Sequence, residues 1–194
     1  MTSKLTGIVL SAGLSGRMNS FKPLLKLNNG KTFVRTIVDK LFLICDEIIV
    51  VTGHKSNEVI KSLSTSVRQN KIKFVFNNNY KSGMFTSLQV GLKNTDSSWY
   101  LYHFVDQPSL PNDFYTEFVK QIDAKSNWIQ PVLGNRKGHP ILLDNKVKEL
   151  ILESSIDSTL RDVAHNELII KKLWEYNSEL IFQDIDTKED YTTL

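Results

Sequence analysis

Short apolar runs alternate with segments of helical periodicity along this 194-residue chain, and the alternation leaves few architectures open. Strand-like runs fall at 6–10, 47–51, 73–76, 100–105 and 128–133. Between them Phe33, Val34, Ile37, Val38, Leu41 and Phe42 recur at helical spacing, as do Phe114, Phe118, Val119 and Ile122. Val59, Ile60 and Leu63 mark a shorter helix, and Met84, Leu88 and Leu92 another. Strands that each return through a helix make a mainly parallel sheet with helices on both faces. The expected fold is a three-layer α/β/α sandwich. Later in the chain 141–143, 169–173 and 180–182 read as short strands and 158–165 as a helix. With no repeat, low-complexity tract or linker, residues 1–194 are expected to form one domain.

Composition excludes several classes. At 41% hydrophobic residues the chain is built to fold, and its net charge of +3 is too small to argue for nucleic-acid binding. No apolar run approaches the roughly 20 residues that span a bilayer, and no signal-peptide pattern opens the chain. The single cysteine, Cys45, follows an apolar stretch and is expected to be a buried thiol. A cytoplasmic protein with no membrane partner is the expectation.

The residues after the first strand carry the chemistry. Leu10, Ser11, Ala12, Gly13, Leu14, Ser15, Gly16, Arg17, Met18 and Asn19 form a turn in which small residues let backbone N–H groups approach a ligand. Arg17 and Lys22 add a guanidinium and an ammonium to the same loop. Exposed amides with two cations suit a polyphosphate. The spacing is not that of a P-loop, nor of the three-glycine dinucleotide turn.

This loop resembles the nucleotidyltransferase signature Leu-Ala-Ala-Gly-x-Ser-x-Arg-Met-Gly followed by Lys. More narrowly it is similar to the MobA-like branch, which includes molybdopterin cytidylyltransferase. Further segments resemble that family in order: Asn77 with Gly83-Met84 and Ser87-Leu88, then Asp106-Gln107-Pro108, Gly134 to Pro140, and Asp184 to Tyr191. Ser11, Asn19 and Lys188 depart from the family pattern, and none of them removes a charged group the chemistry needs. The resemblance implies a Rossmann-like nucleotidyltransferase fold with strand order 3-2-1-4. That order would make the glycine loop and Asp106 neighbours at the carboxyl ends of their strands, where such sheets bind ligands.

The implied reaction joins an acceptor oxygen to the α-phosphorus of a nucleoside triphosphate and expels pyrophosphate, with Mg2+ as cofactor. Arg17 is assigned to the β- and γ-phosphates, Lys22 to the α-phosphate, and the amides from Ala12 to Gly16 to the cradle. Leu10, Ser11, Asn77 and Ser87 complete the nucleotide site, and Asp106 and Asp186 are the metal ligands. An acceptor phosphate oxygen is already ionised, so no general base is required. Ala12, where the guanylyl branch carries glycine, favours CTP. Arg136, Lys137, Gly138 and His139 are assigned to the acceptor, expected to be molybdopterin or its metal-loaded form. The product would pass to a molybdenum hydroxylase.

Structural readings stand beside these. Asp106 can cap the turn toward a helix near Pro111, while Asp184, Asp186 and Thr187 can cap 188–191. Asn77 can simply make a turn, Ser87 can sit on a polar helix face, and His139 can orient backbone. Trp99, Trp128 and Trp174 can be core rather than stacking platforms. A transferase acting on a sugar or alcohol phosphate, and a nucleotide-binding regulator without turnover, are the alternative functions. They differ in the acceptor wall and in whether pyrophosphate is released.

Overall fold

In the computed structural model, residues 4–18, 20–64 and 69–194 are described, with only the backbone of Arg17 and Gln69. Asn19 lies outside them. The first strand, β1 (Leu5–Ser11), is buried at every position, as a central strand covered on both faces must be. Three further strands run parallel with it: β2 (Glu47–Thr52), β3 (Ile72–Phe76) and β4 (Trp99–Phe104). Beyond β4 the sheet turns antiparallel through β7 (Ile141–Asp144) to β5 (Trp128–Leu133), which also pairs with β6 (Arg136–Lys137) and β8 (Lys171–Glu175). The order is β3-β2-β1-β4-β7-β5-β6, with β8 on β5, so the expected 3-2-1-4 arrangement is present.

Strand side chains alternate between two cores, as the two-residue strand period requires. Val9, Val50, Leu101 and Leu142 face α1 (Phe33–Leu41), α2 (Ser56–Leu63) and α4 (Asn112–Val119). Ile8, Val51, Tyr100 and Leu143 face α3 (Met84–Lys93), α5 (Asn145–Glu153) and α6 (Leu160–Val163). This is the three-layer α/β arrangement read from the sequence. Cys45 is buried, and no described helix is long and apolar enough to cross a membrane.

Local chemistry moved several boundaries. The segment 180–182, expected as a strand, is a 3-10 turn over Glu179–Phe182, where only Ile181 is buried and the Ser178 hydroxyl accepts from Leu180 N. The strand expected at 169–173 starts at Lys171, because the Asn127 side chain engages Ile170 N at 2.7 Å and Leu168 O at 2.8 Å. The helix expected at 158–165 contracts to α6 behind a Thr159–Asp162 capping box. In α3 the buried stripe runs through Phe85, Leu88 and Leu92, leaving Met84 63% exposed. Helix α5, capped by Asp144 at Val147 N, was not read from the sequence. Trp99 and Trp128 are buried, and Trp174 packs on Phe118 at 5.5 Å.

Candidate active site at the ends of two central strands

Leu10 and Phe104 are paired across β1 and β4, so the chain leaves both strands at the same sheet edge. Between the two exits lies a cavity of about 420 Å3. Leu10, Ser11, Ala12, Gly13, Ser15 and Gly16 line it from one side, with Asp106, Asp184 and Asp186 from the other. The Ser11 hydroxyl is committed to the sheet, donating to Val51 O at 2.9 Å. Ser15 takes a positive φ of 55° and its hydroxyl accepts from Lys22 N at 3.1 Å. That bond closes the loop and returns Lys22 to the cavity, in a 3-10 turn over Lys22–Leu24 with Pro23 at its start.

Lys22 is the electrostatic centre. Its ammonium donates to Asp106 Oδ2 at 3.0 Å and also to Asp186. Burial acts to lower its pKa, but the two carboxylates outweigh burial and the net direction is upward. Lys22 is therefore fully charged at neutral pH. Two carboxylates from distant segments converge on one positive charge, and such a pair fits a magnesium-sized ion, which takes one or two protein carboxylates and fills its shell from phosphate and water. Among the described residues no group of three or more His, Cys, Asp or Glu side chains is gathered to enclose a metal without such help.

Each partner of Lys22 is held from behind. The Lys40 ammonium donates to the carbonyls of Pro108 and Leu110, pinning the loop after Asp106. Ile185 N donates to Asp106 O at 3.0 Å, and Gln107 Nε2 donates to Asp184 at 2.8 Å, so the last part of the chain is laid along this loop. Next to it α7 (Lys188–Thr192) is capped by Thr187, with Asp190 receiving Asp186 N and Thr187 N at 3.0 and 2.8 Å. Thr187 thus does the capping while the Asp186 side chain faces Lys22. Pro111 and not Asp106 precedes α4 as its cap.

The third wall is the amino end of α3, where Gly83, Met84 and Ser87 line the cavity. Gly83 has φ of 107°, a backbone conformation that disfavours any residue with a side chain. Ser87 lines the cavity, whereas Asn77 does not. Asn77 is 1% exposed and donates to Thr86 Oγ1 and Ser87 Oγ at 3.0 and 2.9 Å, while its own carbonyl accepts from Asn79 N. It ties the end of β3 to the start of α3 and braces Ser87 from behind. The Arg17 side chain lies outside the described residues.

A second cavity of about 750 Å3 adjoins the first, sharing Gly83, Met84 and Phe104. Lys137 and His139 line it, and Gly138 and Arg136 do not. Gly138 sits behind, where a Cβ would fall 2.7 Å from Ile181 Cβ. Arg136 turns away onto the Phe182 ring at 4.0 Å and pairs with Glu179 at 3.4 Å. The His139 ring packs on Phe104 at 4.4 Å, and burial pushes its pKa down to about 4, so it is neutral at pH 7. Trp128, Gln130, Arg161 and Lys171 are among the other residues that line this cavity. Sequence reading did not single out the last three as site residues: Gln130 is a polar position within an apolar strand run, and α6 and β8 reach the cavity only through tertiary packing and strand pairing.

The chain matches the family model described as the MobA-like NTP transferase domain over residues 7–171. It is 26% identical over 195 residues to the molybdenum cofactor cytidylyltransferase of Escherichia coli K12, covering 98% of this chain and 95% of that one. It is 30% identical over 152 residues to a protein of Bacillus mycoides named a probable molybdenum cofactor guanylyltransferase, covering 77% of this chain and 72% of the relative. Among solved structures, a nucleotidyl transferase from Methanothermobacter thermautotroptrophicus superposes with a TM-score of 0.81 at 21% identity, covering 98% of this chain and 95% of that one. The chain belongs to the MobA-like NTP transferase family and is a nucleotidyltransferase.

Proposed function

We propose that the protein transfers CMP from CTP to molybdopterin or its metal-loaded form, with Mg2+ as the divalent ion. The observation that carries the reading is the convergence of Asp106 and Asp186 on the Lys22 ammonium beside the glycine loop. An acceptor phosphate oxygen attacks the α-phosphorus, the bond to the β-phosphate oxygen breaks, and pyrophosphate leaves with the electron pair. No proton need be removed from the nucleophile.

Loop amides from Ala12 to Gly16, with Arg17, hold the triphosphate in line, so positioning lowers the barrier before any charge moves. Lys22 offsets the charge that builds around the α-phosphorus and leaving group. Asp106 and Asp186 would hold the magnesium, which supplies additional positive charge to the triphosphate oxygens when bound. Ser87, at the positive end of α3, adds a hydroxyl to the nucleotide wall. The acceptor lies in the larger cavity, its phosphate near Lys137 and its ring on the aromatic wall of Phe104, Trp128 and His139. The choice of CTP rests on Ala12, whose methyl group narrows the loop where the guanylyl branch has none. A molybdenum hydroxylase is the expected recipient of the product.

The test is magnesium-dependent pyrophosphate release from CTP, GTP, ATP and UTP, each with and without molybdopterin. Release from CTP only when the pterin is present is the expected result. Release from GTP instead would overturn the base assignment, and release only with sugar or alcohol phosphates would overturn the acceptor. Nucleotide binding without any release would return the non-catalytic regulator.

A further inference from the structure

We infer that Gln107 is a positioning residue: its side-chain amide, through Asp184, sets the last segment of the chain so that Asp186 joins Asp106 on one cation. The inference rests on the metal-site reading above and extends it to residues that do not touch the ion.

Gln107 immediately follows Asp106 and is 1% exposed. Its Nε2 donates to Asp184 Oδ1 at 2.8 Å and lies 3.5 Å from Ile181 O. Its Oε1 is buried with no hydrogen-bond partner among the described residues. An unsatisfied buried acceptor is destabilising, and an apolar side chain of similar size would avoid that cost. Fold stability alone therefore gives a poor reason for an amide here. Flipping the amide would set two acceptors against each other at Asp184, so the direction of the bond is fixed by its partner.

The same bond selects which way the last segment runs. Ile181 is wedged on Gly138 and accepts from His139 N at 3.0 Å. Ile185 N donates to Asp106 O at 3.0 Å, and Asp186 N is taken by Asp190. Gln107 bridges these two anchored ends through its bond to Asp184, which lies between them. Without it Asp184 can swing outward, and the Asp186 carboxylate, two residues on, loses its fixed bearing on Lys22.

Direct Mn2+ binding, read by the electron paramagnetic resonance signal of the free ion with CTP present, tests the proposal without turnover. Asp184→Asn removes the charge but keeps a carbonyl that accepts from Gln107, so Mn2+ affinity is expected to stay within about twofold. Asp184→Ala removes the charge and the bond, and affinity is expected to fall about tenfold. Gln107→Glu sets two carboxylates together and is expected to weaken binding at least as much, while Gln107→Glu with Asp184→Asn reverses the polarity of the bond and restores it. Equal losses in Asp184→Asn and Asp184→Ala would make Asp184 a charge partner of the ion and overturn the inference, as would wild-type affinity in Asp184→Ala. The exposed position of Asp184 keeps this pair of variants readable if Gln107→Glu does not fold. Asp106→Ala and Asp186→Ala serve as controls: undiminished Mn2+ binding in both would overturn the metal-site reading itself, independently of Gln107.

Discussion

Lys22 and Asp106, 84 positions apart in sequence, meet at 3.0 Å where the loops after β1 and β4 face each other. The contact joins a cation and a carboxylate that the proposed reaction uses for opposite purposes, one offsetting phosphate charge and the other holding a metal. Lys22→Ala is expected to lower kcat by about 10²–10³, the usual range for removing one preorganised charge-stabilising donor, with CTP affinity changed only a few-fold. Pre-steady-state transfer rates alongside equilibrium nucleotide binding check the split. A near-normal rate would remove Lys22 from the chemistry.

The two cationic neighbours Arg136 and Lys137 should behave differently. Lys137 lines the larger cavity, while Arg136 is stacked on Phe182 outside it. Lys137→Met should raise the KM for the acceptor about tenfold and leave the KM for CTP unchanged. Arg136→Met should change neither by more than about twofold, the exposed ion pair with Glu179 being worth little. Steady-state kinetics with each substrate varied in turn would separate them.

Asn77 predicts a stability effect. Its amide makes two donor bonds to α3 and accepts one from Asn79, all in a buried position. At about 1 kcal/mol for each bond, Asn77→Ala should cost about 2–3 kcal/mol in urea unfolding. Unaltered stability together with lost nucleotide binding would return Asn77 to the ligand.

Acid should destabilise the protein through two buried histidines. Burial holds His103 at about 3 and His139 at about 4, both below the ordinary value of 6.5. Below pH 6.5 the unfolded chain binds protons that the folded chain refuses, so stability falls as pH drops. The contribution is fully present above pH 6.5 and is lost progressively down to about pH 4 for His139 and about pH 3 for His103. Two such groups give a slope approaching about 2.7 kcal/mol per pH unit near pH 5. Urea midpoints at pH 7, 6 and 5 measure it, and a flat profile would contradict the buried neutral state of both rings.

Gly138→Ala tests the link between the acceptor wall and the last segment. A Cβ there would fall 2.7 Å from Ile181 Cβ and Cγ1, which the backbone cannot accept without shifting. A loss of about 1–3 kcal/mol is expected. Wild-type thermal stability would show that the segment yields freely.

What the sequence determined by itself was whatever is written locally. Buried parallel strands read as unbroken apolar runs, so β1, β2 and β4 were legible, and helices with one apolar stripe declared themselves through Phe33–Phe42 and Phe114–Phe118. The small residues after β1 marked a loop that lines the smaller cavity, because short side chains leave the backbone accessible. Tertiary structure decided the rest. Asn77 carries the same side chain whatever surrounds it, and its burial against Thr86 and Ser87 comes from the packing of α3 beside β3. Arg136 and Lys137 are adjacent cations in a two-residue strand, yet alternation across the sheet sends them to different surroundings. Gln107 finds Asp184 after 77 intervening steps of chain, and Lys171 reaches the larger cavity through the pairing of β8 with β5. Such partners are set by long-range packing and hydrogen bonding, which leave no periodicity in the chain that makes them.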